Sequence, residues 1–142
     1  MDRIVPARRS ENMRRIRSKN TEPERRVRHV LSAARVHYRL HRRNLPGKPD
    51  VSIGRLRLAV FVHGCFWHQH SGCQRAFVPA SHRSFWIRKF QANVARDVMV
   101  QEQLRAVGWR SQIIWECETK DEKELMRRVE PAILAYRKLT SR

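Results

Sequence analysis

Asp50-Val51-Ser52-Ile53-Gly54-Arg55-Leu56-Arg57-Leu58-Ala59-Val60-Phe61-Val62-His63 is the stretch that decides the fold. Val51-Ser52-Ile53 reads as a short strand, Gly54-Arg55 as a tight turn, and Leu56 to Val62 as a returning strand. The second strand is the more apolar, which puts it at the centre of a sheet. A hairpin brings the chain back to its own open end. The position of the turn therefore predicts that Val62 and His63 arrive beside Asp50.

The flanking segments supply the other elements. Thr21-Glu22-Pro23-Glu24 is a helix start: Thr21 can cap, Pro23 suits the first turn, and Glu24 stands where a reciprocal capping bond forms. From pattern alone, capping is the preferred role of Glu24. Val27, Val30, Leu31 and Ala34 then recur at helical spacing. Tyr38 to His41 alternates as a short strand, and Asn44 to Pro49 is a loop punctuated by two prolines and a glycine. Downstream, Ser81 or Ser84 begins a helix running to about Ala106, with Trp86, Phe90, Val94, Val98 and Leu104 as its apolar face and Gly108 as its stop. Trp109 to Trp115 is an apolar strand whose two tryptophans suit a core. Asp121 to Leu139 is a final amphipathic helix marked by Leu125, Val129, Ile133 and Tyr136. The order helix, three strands, helix, strand, helix predicts an α/β protein with a mixed sheet flanked by helices.

Composition narrows the partner. The 142 residues hold 31 Lys and Arg against 13 Asp and Glu, a formal net charge of +18. A polyanion complements that excess, and phosphate contacts give strong, salt-dependent binding. An anionic membrane surface is the competing partner, but no long apolar face accompanies the charge. Apolar runs such as Leu58 to Val62 are far too short to span a bilayer. Met1-Asp2-Arg3-Ile4-Val5-Pro6 has no apolar core of a secretory signal. Residues 1–20 form a basic arm, either solvated or laid against nucleic acid, and residues 21–142 a single domain. Three cysteines fit a disulfide framework poorly and suit thiolates on a metal in a reducing compartment.

The segment after the hairpin, Val62-His63-Gly64-Cys65-Phe66-Trp67-His68-Gln69-His70-Ser71-Gly72-Cys73, concentrates the chemistry. Cys65, His70, Cys73 and the distant Cys117 are the four soft or borderline donors that tetrahedral zinc prefers. Their removal leaves Asp50, His63 and His68 in one neighbourhood. A carboxylate that can hold Mg²⁺, together with histidines that move protons near neutral pH, suits phosphodiester hydrolysis. Asp97 could orient a histidine, although its spacing favours a surface ion pair with an arginine. Phe66 and Trp67, framed by Gly64, His68 and Gln69, suit exposed rings that stack on bases, whereas the helical spacing of Trp86 favours core packing.

At these residues the chain resembles the very-short-patch repair endonucleases. The likeness runs from Arg9-Ser10-Glu11-Asn12-Met13-Arg14 through Leu45-Pro46-Gly47-Lys48-Pro49-Asp50, Phe61 to His68, Phe85-Trp86 and Asn93-Val94-Ala95-Arg96-Asp97 to Gly108-Trp109-Arg110 and Trp115-Glu116-Cys117. That resemblance implies a restriction-endonuclease-like fold with a structural zinc. It implies a bacterial enzyme, cytoplasmic and nucleoid-associated, that acts as a monomer. Such an enzyme nicks duplex DNA on the 5′ side of a thymine mispaired with guanine, the lesion left when 5-methylcytosine deaminates, and works alongside other repair proteins. By the same resemblance Asp50 holds Mg²⁺ with the backbone carbonyl of Val62, and Glu24 holds metal-bound water. His68 is the general base or acid with His63 nearby, and Asp97 supports the catalytic histidine. Phe66, Trp67 and Trp86 wedge into the base stack, and Met13 enters from the other groove. Two features depart from the wider nuclease pattern. The strand Leu58 to His63 offers neither the second acid nor the lysine usual after the first Asp. Val62 stands where the family often has Thr, a change a backbone ligand tolerates.

A T·G wobble stacks poorly, which lowers the cost of inserting rings, about a few kcal/mol per unstacked step. Each ring–base stack returns about 1–3 kcal/mol, so insertion is favoured only at the weak step. Two other functions fit the same residues less fully: a zinc-stabilised nuclease cutting matched DNA, and a DNA-binding module without catalysis.

Overall fold

Ser52 and its neighbours in the hairpin are almost wholly buried, and the computed structural model, which describes residues 20–141, builds outward from them. The expected N-terminal arm, with Met13, lies outside the described residues. Helix α1 spans Glu22–Ala33, strands β1 to β3 span Arg39–Leu40, Val51–Ile53 and Leu58–His63, helix α2 spans Arg83–Ala106, β4 spans Arg110–Trp115, and α3 spans Glu122–Thr140. The sheet order is β1-β2-β3-β4. β1–β2 and β2–β3 are antiparallel, while β3 and β4 pair in parallel from Leu58↔Arg110 to His63↔Trp115. A parallel pair needs a long crossover, and the 64–109 segment containing α2 supplies it. The expected mixed α/β architecture is present.

The pleat sorts β3 onto two cores. Leu58 and Val60 pack with Ile114 against Val27 and Leu31 of α1 and Leu125, Val129, Ile133 and Tyr136 of α3. Ala59 and Phe61 point the other way and pack with Leu45 and Leu104, the latter on α2. β3 is therefore covered on both faces, as its unbroken apolar run requires.

Three local expectations need correction. The hairpin turn is a 3₁₀ turn, Gly54–Leu56, closed by Arg57 in the left-handed region at φ 49°, so the strand resumes at Leu58 and not at Leu56. Neither Ser81 nor Ser84 caps α2. The cap position falls on His82 at φ 57°, and the Ser81 hydroxyl is engaged by His82 Nδ1 at 3.0 Å. The inner face of α2 keeps the expected Trp86, Phe90 and Leu104 but departs from the apolar pattern in its middle. Val94 and Val98 are 43% and 51% exposed, whereas Trp86, Phe90, Asn93 and Leu104 are buried. The inward stripe runs 86–90–93–97–100–104, at regular helical spacing, with Asp97 and Val100 half-buried and two polar residues in its middle.

Gly47 shows how closely the Asp50 loop lies against α2. It sits at φ +75°, and a Cβ there would run into the Val100 side chain and come within 3.2 Å of Phe61 Cε1. Gly47→Ala combines left-handed strain with overpacking, an expected loss of about 2–4 kcal/mol in urea unfolding. Gly54→Ala, where a Cβ would meet nothing within 4 Å, is expected to stay within about 0.5 kcal/mol of the wild type.

Candidate active site and metal cluster

The hairpin places Asp50 where the turn position predicts. Its Oδ2 accepts the Val62 N–H at 2.7 Å, one step past the last β2–β3 pair. Asp50, His63 and His68 line one cleft of about 570 Å³, together with Glu24 and Asp97. The carboxylates of Glu22 and Glu116 also line it, against the cationic Lys48 and Arg96. An acidic cleft in so basic a chain is suited to a cation. Burial pushes the Asp50 carboxyl up to about 7; the Val62 N–H opposes this rise and the neighbouring Glu24 charge adds to it.

Glu24 turns its carboxylate to the Asn20 N–H and not to the Thr21 N–H that a reciprocal capping bond would use. Its backbone N–H meets Thr21 Oγ1 at 3.5 Å, while its buried carboxylate accepts the Asn20 N–H at 2.9 Å and stands beside Asp50. The first turn of α1 faces the cleft, which places that carboxylate in the acidic group.

The two histidines are stacked, with ring centroids 3.7 Å apart and planes 8° from parallel. Asp97 holds His68 Nδ1 at 2.7 Å and stands 4.0 Å from His63 Nδ1. Asp97 is thus a site residue reached from α2, not the surface ion pair its spacing suggested. His63 is 6% exposed, and burial, helped by the charge of His68, depresses its imidazole to about 4. It is therefore neutral at physiological pH.

The expected metal quartet is assembled. The donor atoms of Cys65, His70, Cys73 and Cys117 all lie within 4.8 Å of one another. Cys65 Sγ and Cys117 Sγ stand 3.7 Å and 3.5 Å from His70 Nδ1. A tetrahedral ion at about 2.3 Å from sulfur and about 2.05 Å from nitrogen would hold such donors about 3.6 Å apart. Burial pushes the Cys65 thiol up to about 12 and raises that of Cys117, while a backbone hydrogen bond at Arg75 lowers that of Cys73. A thiol so reluctant to ionise loses its proton only when a cation takes its place.

Trp86 packs in the core as its helical spacing favoured, whereas Phe66 and Trp67 are not the exposed rings their loop setting suggested. Trp67 is 8% exposed and Trp86 2%, in one cluster with Phe90 and the half-buried Phe66. Phe66 meets Trp67, Trp86 and Phe90 at centroid distances of 5.4, 5.7 and 5.0 Å. Loop neighbours in the sequence did not mean exposed rings, because α2 covers them.

Sequence reasoning missed three residues here. Asn93, buried on α2, donates from Nδ2 to the Trp67 carbonyl at 3.0 Å. Trp115, expected as core, stacks on His70 at 4.2 Å and meets His63 edge-on at 5.4 Å, so it spans the quartet and the histidine pair. His41 joins Glu24 and Asp50 in a third group of potential ligands. A helical stripe counted through polar as well as apolar positions would have found Asn93.

Comparisons with known proteins give the chain its family. The family model for DNA mismatch endonuclease Vsr matches residues 1–75. The chain is 47% identical over 120 residues to the type II nicking enzyme V.XorIIP of Xanthomonas oryzae, covering 84% of this chain and 88% of the relative. It is 39% identical over 119 residues to DNA mismatch endonuclease Vsr of Escherichia coli, covering 84% and 76%. A further relative, the type II nicking enzyme V.NmeAIP of Neisseria meningitidis, is 37% identical over 84% of this chain and 85% of its own length. Fold, cleft and relatives together define a DNA endonuclease. Within that class, the chain belongs to the DNA mismatch endonuclease Vsr family. No helix among the described residues is long and apolar enough to cross a membrane.

Proposed function

We propose that this protein nicks one strand of duplex DNA 5′ of the thymine in a T:G mismatch, as a Mg²⁺-dependent monomer that hands its product to other repair proteins. Its fold on this proposal is the restriction-endonuclease type, a single domain preceded by a basic arm. The observation that carries it is the meeting of the Asp50 carboxylate with a stacked histidine pair, braced by Asp97, in one acidic cleft. Membership of the family supports the mismatch as substrate.

Asp50 would hold Mg²⁺ with the carbonyl of Val62, and Glu24 would hold its water. The donors suit the ion: the Glu24 and Asp50 carboxylates converge in one buried group of hard oxygen donors. Bound there, Mg²⁺ supplies polarisation of the phosphate and neutralises charge developing on it. His68 is the proton acceptor. With Nδ1–H donated to Asp97, its Nε2 carries the free lone pair and takes the proton of the attacking water. The hydroxyl adds to phosphorus as the bond to the leaving sugar oxygen breaks. Asp97 stabilises the imidazolium, and neutral His63 places no second positive charge beside it.

Cys65, His70, Cys73 and Cys117 would bind zinc, fastening the 64–73 loop to the end of β4. Phe66, Trp67 and Trp86 form a pre-packed block next to His68; as a wedge it loses little side-chain freedom on insertion. Met13 would enter from the opposite groove.

In single-turnover assays on a T:G duplex, His68→Ala is expected to slow nicking by about 10²–10⁴-fold. Asp50→Ala abolishes scission while mismatch binding persists in a gel shift; retained scission would remove Asp50 from the mechanism. Trp67→Ala should shrink the preference for mismatched over matched duplex, by up to the value of one stack, about 1–3 kcal/mol. An unchanged preference would reduce Trp67 to packing. Cys117→Ala should lose one equivalent of zinc by atomic absorption and lower the Tm by about 10 °C or more. A variant that melts with the wild type would show the quartet holds nothing that stabilises the fold.

A further inference from the structure

His41 follows β1 and extends its ladder by one bond, from its N–H to the Asp50 carbonyl at 3.2 Å. It therefore sits directly opposite Asp50. Its backbone departs from strand geometry: φ is 47°, in the left-handed region that residues other than glycine seldom occupy. The side chain is brought to the acidic group. His41 Nε2 stands 3.8 Å from Glu24 Oε2, too long for a hydrogen bond. The nitrogen is buried and has no hydrogen-bond partner among the described residues. A buried ring nitrogen left unpaired is costly unless something completes it. Glu24, His41 and Asp50 each offer one donor atom, and all three atoms lie within 4.8 Å of one another. Asp50 accepts the Val62 N–H on Oδ2, which fixes its carboxylate beside the other two.

We infer that His41 is a nitrogen ligand of the divalent ion held at Asp50, so that this site binds Mn²⁺ in preference to Mg²⁺. The inference rests on the placement of a metal at Asp50 proposed above. Its reason is donor chemistry. Mg²⁺ takes oxygen ligands almost exclusively and keeps much of its water. First-row divalent ions accept imidazole more readily than Mg²⁺ does, even Mn²⁺ at the weak end of their series, so one nitrogen beside two carboxylates shifts the balance towards Mn²⁺. Mg²⁺ still occupies such a site by mass action where it is abundant. The restriction-nuclease strand Leu58–His63 offers no second acid. In this chain the missing donor comes from across the sheet, on the edge strand.

The test uses the full-length, zinc-replete chain without DNA. Electron spin echo envelope modulation of the Mn²⁺-loaded protein is expected to show a directly coordinated imidazole ¹⁴N. The signal should vanish in His41→Gln. Absence of ¹⁴N coupling in the wild type overturns the inference whether or not the variant folds. So does coupling that persists in His41→Gln, which would assign the nitrogen to another histidine. In parallel, calorimetric titration should give a Mn²⁺ affinity at least about tenfold above that for Mg²⁺, with the ratio falling by about tenfold in His41→Gln. An unchanged ratio in His41→Gln, with Asp50→Ala still losing both ions, overturns the role of His41 alone. Asp50→Ala that keeps both ions overturns the metal site itself, and the inference with it.

Discussion

One hydrogen bond holds the cleft end of this molecule in register: the Val62 N–H to Asp50 Oδ2, 2.7 Å long. It closes the hairpin beyond its last paired residues and fixes the carboxylate against the strand that carries everything else. From Val62 the chain delivers His63 to the cleft and, two residues later, Cys65 to the quartet. The same bond acts on charge. Burial and Glu24 favour the neutral acid, and the peptide N–H opposes them. A carboxylate placed by side-chain packing alone would be free to protonate and turn away. One placed by a backbone donor keeps an oxygen aimed into the cleft.

The 64–73 loop has no regular backbone ladder of its own; beyond the packing of Phe66 and Trp67 on Trp86 and Phe90, it is fastened from three directions. α2 supplies Asn93 to the Trp67 carbonyl and Asp97 to His68. The end of β4 supplies Trp115, packed on His70, and Glu116, whose Oε1 accepts the Cys65 N–H at 3.4 Å. The thiol and imidazole donors close the third side. Together the fastenings reach Cys65, Trp67, His68, His70 and Cys73, so they are spread along the loop. This is how a site built on irregular backbone attains the precision that catalysis demands.

The hairpin, the Asp50–Val62 juxtaposition and the quartet were legible in the sequence because each follows from a rule with one strong term. An apolar run flanking Gly54 has few alternatives, and three cysteines with a nearby histidine have fewer. The middle of the inner face of α2 was not legible, for a reason that lies in the function. Hydrophobic periodicity assumes that buried positions are apolar, and the positions facing the site are Asn93 and Asp97. The rule therefore selected Val94 and Val98, which face solvent. The burial of Trp67 escaped for the complementary reason: its neighbours in sequence are polar, but its neighbours in space are Trp86 and Phe90, a crossover away. His41 read as a strand residue because nothing local announces that its backbone leaves the strand at φ 47°.

Those failures share a physical basis. Among the described residues, His41 Nε2 and His63 Nδ1 are buried without hydrogen-bond partners, and both stand beside cleft carboxylates. Each such atom costs about 1–3 kcal/mol in the free protein, a large share of a margin of about 5–15 kcal/mol. A fold selected for stability alone would fill these positions with leucine and leave the local rules intact. Their persistence beside an acidic cleft, in a chain otherwise so cationic, marks where local consistency yields to a site prepared for groups that arrive from outside. The quartet at the far end of the loop can offset the deficit, since a bound structural metal contributes folding free energy directly. On this account the two ends of the 64–73 loop are complementary: unpaired imidazole nitrogens beside carboxylates at one, four clustered soft donors at the other.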